Sequence, residues 1–282
     1  MNLLFSIDRN CIDLLLNCIC SIKENGGAEK YHAYILHSDL HGNDEDKIRS
    51  LVPHGVDCEF IVVPEEMFAG FPETRRYPKQ IYYRLAAAQL LPSQVERVLY
   101  LDVDTLVINP LSELYDADFE GNLFMACTHT RKFLSFVNRV RLDIEDPVPY
   151  INTGVMMMNL PLMRGEVRLE DIQTFAMENK NVLLLPDQDI LTALYGHRVK
   201  LVDALKFNLS DRSIDFHNAA NKNEKIDLDW VRENTAIVHY YGRNKPWKES
   251  YHGILGVLFE EQVAREKGKN TGNCTKEQLE IQ

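Results

Sequence analysis

Four short apolar, β-rich runs punctuate the N-terminal part of the chain: Leu3–Ile7, Tyr31–His37, Cys58–Val63 and Val98–Leu101. Helical patterns lie between them. Cys11–Lys23 is one, stopped by Gly26-Gly27, a C-terminal helix signal. Another is PKQIYYRLAAAQLLP, where Pro78 suits a first turn, good helix formers follow and Pro92 ends the run. Strands that alternate with helices pair in parallel, because each return needs a crossover long enough to hold a helix. The pattern predicts an α/β fold with a mainly parallel central sheet and helices on both faces. Leu123–Cys127, Gly154–Asn159 and Ala236–Tyr241 add further strands. Ligands of such sheets sit at the carboxyl ends of the strands, and there fall Asp8, after the first strand, and Asp102, after the fourth.

Charge and cysteine usage narrow the function classes. The 282 residues include 42 acidic and 31 basic ones, a formal net charge of -11. Nucleic acid and anionic membranes call for clustered Lys and Arg, so neither is expected as the main partner. Cys11, Cys18, Cys20, Cys58, Cys127 and Cys274 show no C-x-x-C pairing or zinc-like spacing. They read as reduced structural thiols of a cytoplasmic protein. MNLLFSIDRN has no basic n-region, and no apolar run approaches the roughly 20 residues of a membrane span. Thr128–Pro149, which carries Arg131, Lys132, Arg139 and Arg141, is expected to be a solvated helical excursion.

The stretch that carries chemistry is VLYLDVDTLVINPL, Val98–Leu111. In a strand, residues i and i+2 share a face, which would aim Asp102 and Asp104 together while Val103 turns to the core. Two adjacent carboxylates repel unless a cation or a proton intervenes, so the pair predicts a divalent metal. Two chemistries fit. In D-x-D-x-T phosphatases of the haloacid-dehalogenase type, the first Asp accepts the phosphoryl group and magnesium assists. In nucleotide-sugar glycosyltransferases, a D-x-D holds a metal on a diphosphate leaving group. The phosphatase motif normally lies on the first strand of its domain, whereas here about 100 residues precede it. VHYYGRNKPW, Val238–Trp247, adds His239 as a third ligand, a glycine, and Lys245 as a point charge for phosphate.

FSIDRN, LYLDVDTLV, YINTGVMMMNL, LPDQDIL and HYYGRNKPW occur in that order over most of the chain. Together they resemble glycosyltransferase family 8, the group of lipopolysaccharide galactosyl- and glucosyltransferases and glycogenin. The resemblance implies a GT-A-type nucleotide-diphospho-sugar transferase fold and a retaining hexosyltransferase. Its donor would be UDP-glucose or UDP-galactose, its acceptor a saccharide or glycan, and its cofactor Mn2+, with Mg2+ as substitute. One catalytic domain would span 1–266, with a donor-binding half to about 110 and an acceptor half beyond it, followed by a polar tail, 267–282. By resemblance, Asp8 and Asn10 receive uracil and ribose, and Ser6 lets the nucleotide lie close to backbone. Arg84 contacts the donor sugar and phosphate. Asp102, Asp104 and His239 ligate the metal, with Val103 in the same donor-binding stretch. Asn152 and Thr153 lie beneath the sugar, Asp187 and Gln188 at its hydroxyls and reacting face, and Gly242 and Lys245 on the phosphates. Arg84, Asp187 and Gln188 form the implied catalytic set.

The chain also departs from the family pattern. Thr192 stands where Asn is frequent, and Thr153 where Ala is frequent. CTKEQLEIQ has no counterpart of the basic, aromatic tail of the lipopolysaccharide enzymes, so peripheral membrane contact has no support from the tail.

Overall fold

The computed structural model describes residues 1–74, 77–128, 137, 138, 140–144, 147–221 and 223–269. Seven strands form the main sheet: β1 (Asn2–Ser6), β2 (Tyr31–His37), β3 (Val56–Val62), β4 (Arg97–Leu101), β6 (Phe124–Cys127), β7 (Asn152–Asn159) and β8 (Val199–Leu201). Their order is β3-β2-β1-β4-β7-β6-β8. β7 alone runs against the others, antiparallel to both β4 and β6. β5 (Thr105–Val107) and β9 (Ile237–His239) make a separate two-stranded antiparallel ribbon. The expectation of a mostly parallel α/β sheet is met.

Side-chain alternation divides the core between the two faces. Leu4, Tyr100, Phe124, Met156 and Met158 enter one cluster with the helices Leu160–Glu166, Leu169–Glu178 and Pro186–Tyr195. Leu3, Phe5, Leu99, Leu101, Met125 and Met157 enter the other, with α1 (Ile12–Asn25) and α2 (Gly42–Leu51). A third cluster packs Leu106 and Val238 of the ribbon on Trp247, Leu258 and Phe259. Each fully buried large apolar side chain contributes about 1.5–3 kcal/mol. The fold is therefore held by these clusters rather than by the polar groups at the sheet's edge.

The structure corrects several expectations. The run 78–92 is not one helix: a 3-10 turn, Arg84–Ala86, separates Gln80–Tyr83 from Ala87–Leu90. The turn begins at Arg84, whose side chain is drawn down into the site described below. Neither β5 nor β8 was expected; each has three residues, too few to show a period. The last helix runs through Gly256–Lys269, past the expected start of the tail at Lys267. The tail's remainder, 270–282 with Cys274, lies outside the described residues, as do 129–136 of the basic stretch. Cys11, Cys18, Cys20, Cys58 and Cys127 are free thiols. No helix among the described residues is long and apolar enough to cross a membrane.

Candidate functional site

The strand order 3-2-1-4 reverses between β1 and β4, and a crevice at the carboxyl end of such a switch point is where open α/β sheets bind ligands. Ser6 ends β1, and Asp8 accepts from the N–H groups of Asn10 (2.9 Å) and Cys11 (3.2 Å), capping the 3-10 turn Arg9–Cys11. On the neighbouring strand β4 stops at Leu101, so Asp102 and Asp104 stand in a tight turn, not on a strand. The Asp102 carbonyl accepts from the Thr105 N–H (3.1 Å) and Thr105 Oγ1 (2.8 Å), which closes the turn. The two carboxylates converge because of this turn rather than through strand alternation. Val103 between them packs against two of the apolar clusters, as its inward orientation predicts.

The reversed strand β7 delivers the next residues. Its N-terminal end reaches the carboxyl end of β4, where Asp102 N–H donates to the Gly154 carbonyl at 2.8 Å. That contact places Asn152 and Thr153 beside the turn. The ribbon delivers the imidazole: Thr105 is registered with His239, and Tyr240 N–H donates to the Asp104 carbonyl at 3.0 Å. His239 Nε2 lies 3.1 Å from Asp104 Oδ1 and 3.8 Å from Asp102 Oδ2. Lys245 Nζ pairs with Asp104 Oδ2 and donates to the Tyr240 carbonyl at 2.8 Å. Gly242 supplies the left-handed backbone (φ 89°) of the loop from His239 to Lys245. A Cβ there would touch nothing within 4 Å, so the glycine serves the loop's conformation and does not relieve crowding.

Arg84 is buried across the same site. It reaches Asp102 Oδ1 (2.9 Å), the Thr153 carbonyl (2.9 Å) and Asp187 Oδ2 (3.4 Å), and lies over the Tyr100 ring. Burial by itself would ease loss of its proton. The Asp102 charge, with Tyr100 and Asp187, outweighs that and holds the guanidinium above its ordinary range. Burial pushes the Asp187 carboxyl up, against the pull of Arg84 and a 2.5 Å bond from Thr153 Oγ1. Burial would raise Asp104 too, but Lys245 and His239 keep it well below the carboxylate range. Gln188 follows Asp187 in the first turn of Pro186–Tyr195 and is half-buried.

One ligand atom from each of Asp102, Asp104 and His239 lies within 4.8 Å of the other two. Two carboxylates and an imidazole suit manganese and admit magnesium less readily. Gly154 keeps the space between them open: a Cβ would come 2.3 Å from His239 Cε1 and 2.6 Å from Asp102 Oδ2. These residues fit a divalent cation.

Besides Gly154, sequence reasoning missed three contributors. Tyr100 donates to Asp102 Oδ1 at 2.8 Å; its i−2 position on the same strand face was the available signal. Asp189, fully buried, accepts from Arg141 at 2.6 and 2.9 Å, Tyr150 Oη at 2.7 Å and the Leu184 and Leu185 N–H groups at 2.6 and 3.1 Å. It thereby pins the start of the helix that carries Asp187 and Gln188. Asn208 bonds His239 Nδ1 at 2.9 Å, and no motif announces it.

The sheet, its switch-point crevice and the acid pair form a site for a metal-bound phosphate ligand, and comparison with known proteins gives the class. Residues 2–250 match the profile described as Glycosyl transferase family 8. A lipopolysaccharide 1,2-glucosyltransferase of Escherichia coli is 26% identical over 256 residues, covering 88% of this chain and 73% of its own. A lipopolysaccharide 1,3-galactosyltransferase of Salmonella typhimurium is 25% identical over 254 residues, covering 87% and 72%. The crystal structure of galactosyltransferase LgtC in complex with donor and acceptor sugar analogs matches with a TM-score of 0.79 at 25% identity, over 98% of both chains. The chain belongs to glycosyltransferase family 8, and its enzyme class is that of a hexosyltransferase. The phosphatase reading of LDVDTL falls with that assignment.

Proposed function

We propose that the protein transfers glucose or galactose from a UDP-sugar to a saccharide or glycan acceptor, with retention of configuration, using a divalent ion held by Asp102, Asp104 and His239. Manganese is the favoured ion. The observation that carries this reading is the convergence of those three ligand atoms within 4.8 Å at the strand switch point, beside the Arg84–Asp187 pair. When bound, the ion stabilises negative charge on the departing diphosphate.

The chain's own residues do the rest. Ser6, Asp8 and Asn10, at the end of β1, receive the uridine. Lys245 exchanges its pairing with Asp104 for the donor phosphates, on the loop that Gly242 turns. Val103 lies along the nucleotide between the two acids. Arg84 spans donor phosphate and sugar while holding Asp102 and Asp187 in place. Asn152, Thr153 and Asp187 orient the sugar hydroxyls. Gln188 faces the anomeric carbon, and its amide is a poor nucleophile. The acceptor hydroxyl then attacks on the face the diphosphate leaves: the new glycosidic bond forms, the sugar–phosphate bond breaks, and the leaving phosphate takes the acceptor's proton. Relatives named as lipopolysaccharide glucosyl- and galactosyltransferases support a saccharide acceptor. The reading places the reaction in one catalytic domain and in a cytoplasmic setting.

UDP release from UDP-glucose and UDP-galactose, with and without manganese, tests it. Metal-stimulated release from one of the two is expected. No release from either donor with manganese or magnesium would contradict the proposal.

A further inference from the structure

A chain of side-chain amides runs from the backbone of β7 to the proposed metal ligand, and its polarity can be assigned from one end. The Gly154 N–H can only donate, and it faces Asn152 Oδ1 at 3.1 Å. That end of Asn152 must therefore be its oxygen. The same oxygen lies 2.9 Å from the side chain of Asn208, so the Asn208 atom there must be the donating Nδ2. The other Asn208 terminus is then an acceptor, and it lies 2.9 Å from His239 Nδ1. His239 Nδ1 must carry the hydrogen. Its Nε2 is then the ring nitrogen offered to the place where Asp104 Oδ1 (3.1 Å) and Asp102 Oδ2 (3.8 Å) converge, and a cation entering there displaces any hydrogen Nε2 shares with Asp104.

Backbone bonds hold Asn208 in this role. Its own N–H donates to the Ala204 carbonyl at 3.1 Å, the Leu209 N–H to Ile237 at 3.0 Å, and the His239 N–H to Leu209 at 2.7 Å. Asn208 is thus laid alongside β9, and it is fully buried. Water does not compete for its amide.

We infer that Asn208 is a positioning residue that selects the His239 tautomer able to ligate a cation, by relaying the polarity of the Gly154 N–H through Asn152. The choice of an amide follows from the geometry. A carboxylate could accept from Nδ1 but could not donate to Asn152, and an apolar residue could do neither. Ligating histidines depend on such a partner at their other nitrogen, and its loss typically weakens metal binding 10- to 100-fold. The inference rests on the metal reading proposed above, but the tautomer can be measured without any metal.

The test is long-range 15N–1H NMR of the histidine rings in the metal-free full chain at about pH 8, above the ordinary histidine range, with His239 assigned by its own substitution. Calorimetric manganese titration accompanies it. Wild type is expected to show a hydrogen on His239 Nδ1, whether or not Nε2 also carries one toward Asp104. Asn208→Leu should show a mixture or the Nε2–H form and bind manganese 10- to 100-fold more weakly. Asn208→Asp should keep the Nδ1–H form, since the acceptor toward His239 is preserved. A wild-type ring with no hydrogen on Nδ1 would overturn the inference, as would an Asn208→Leu protein with unchanged tautomer and affinity. If Asn208→Leu does not fold, wild type and Asn208→Asp still decide through their tautomers. Wild type that binds no manganese but shows the Nδ1–H form would sink the metal reading and leave the relay standing.

Discussion

Gly154 shows how much of the site depends on an atom that is not there. A methyl group at this position would overlap both His239 and Asp102. Neither partner can retreat cheaply: the imidazole is held by Asn208 and the carboxylate by Arg84 and Tyr100. Gly154→Ala is expected to cost about 1–3 kcal/mol of stability by overpacking. It should also lower metal-stimulated turnover by at least about 100-fold, about 2.7 kcal/mol of transition-state stabilisation. Thermal unfolding and UDP release measure the two effects separately, and near-wild-type turnover would show that the cradle is not used. Lys245 is expected to act with opposite signs. It neutralises Asp104 in this structure, so Lys245→Met should tighten manganese binding to the free protein while weakening binding in the presence of UDP. Paired titrations with and without UDP check this. The acids, the imidazole and the lysine were legible as residue types. Gly154 and Asn208 were not, because their roles come from what lies across a strand gap, which local sequence does not encode.

At the scale of elements, turns do more than strands to build the site. The spacing of Asp102 and Asp104 was read as strand alternation, yet the Asp102–Thr105 turn brings the pair together. A two-residue spacing cannot distinguish these routes, since both aim the carboxylates one way. The helix expected over 78–92 breaks at Arg84, where tertiary pairing with Asp102 and Asp187 overrides good helix propensity. Asp187 and Gln188 were legible in LPDQDIL, but the second acid of that motif is structural. Asp189 is fully buried and its oxygens are saturated by Arg141, Tyr150 and two backbone N–H groups. Asp189→Ala should leave the half-buried Arg141 without its carboxylate, and Tyr150 Oη and the Leu184 and Leu185 N–H groups without their acceptor, and cost about 3–5 kcal/mol, read by urea denaturation. Turnover should fall as well, because the helix start bearing Asp187 and Gln188 loses its anchor. A loss under about 1 kcal/mol would assign those contacts to the surface class.

For the whole molecule, the α/β class was readable because β1 to β4 and the helices between them follow local periods. Strand order was not. The insertion of reversed β7 beside β4, and the pairing of β5 with β9 over 130 residues later in the chain, are long-range contacts between short runs. Those two pairings carry Asn152–Gly154 and His239 to the acid pair, so the site is completed by the least legible part of the fold. Ligand linkage should report on the assembled site. With manganese–UDP counted as one ligand at about 100 times its dissociation constant, the folded state gains about 2.7 kcal/mol, a rise in Tm of roughly 5–10 °C for a chain of this size. Asp104→Asn should abolish the rise, and chelation of the metal should reverse it.

The central claim is that Asp102, Asp104 and His239 together hold a cation against a nucleotide diphosphate. Anomalous diffraction from a crystal soaked with manganese and UDP tests it most directly. The account predicts one peak within about 2.0–2.3 Å of a carboxylate oxygen from each acid and of His239 Nε2, distances ordinary for first-row divalent ions. A nucleotide bound with the manganese peak elsewhere, or with those three side chains turned apart, would contradict it.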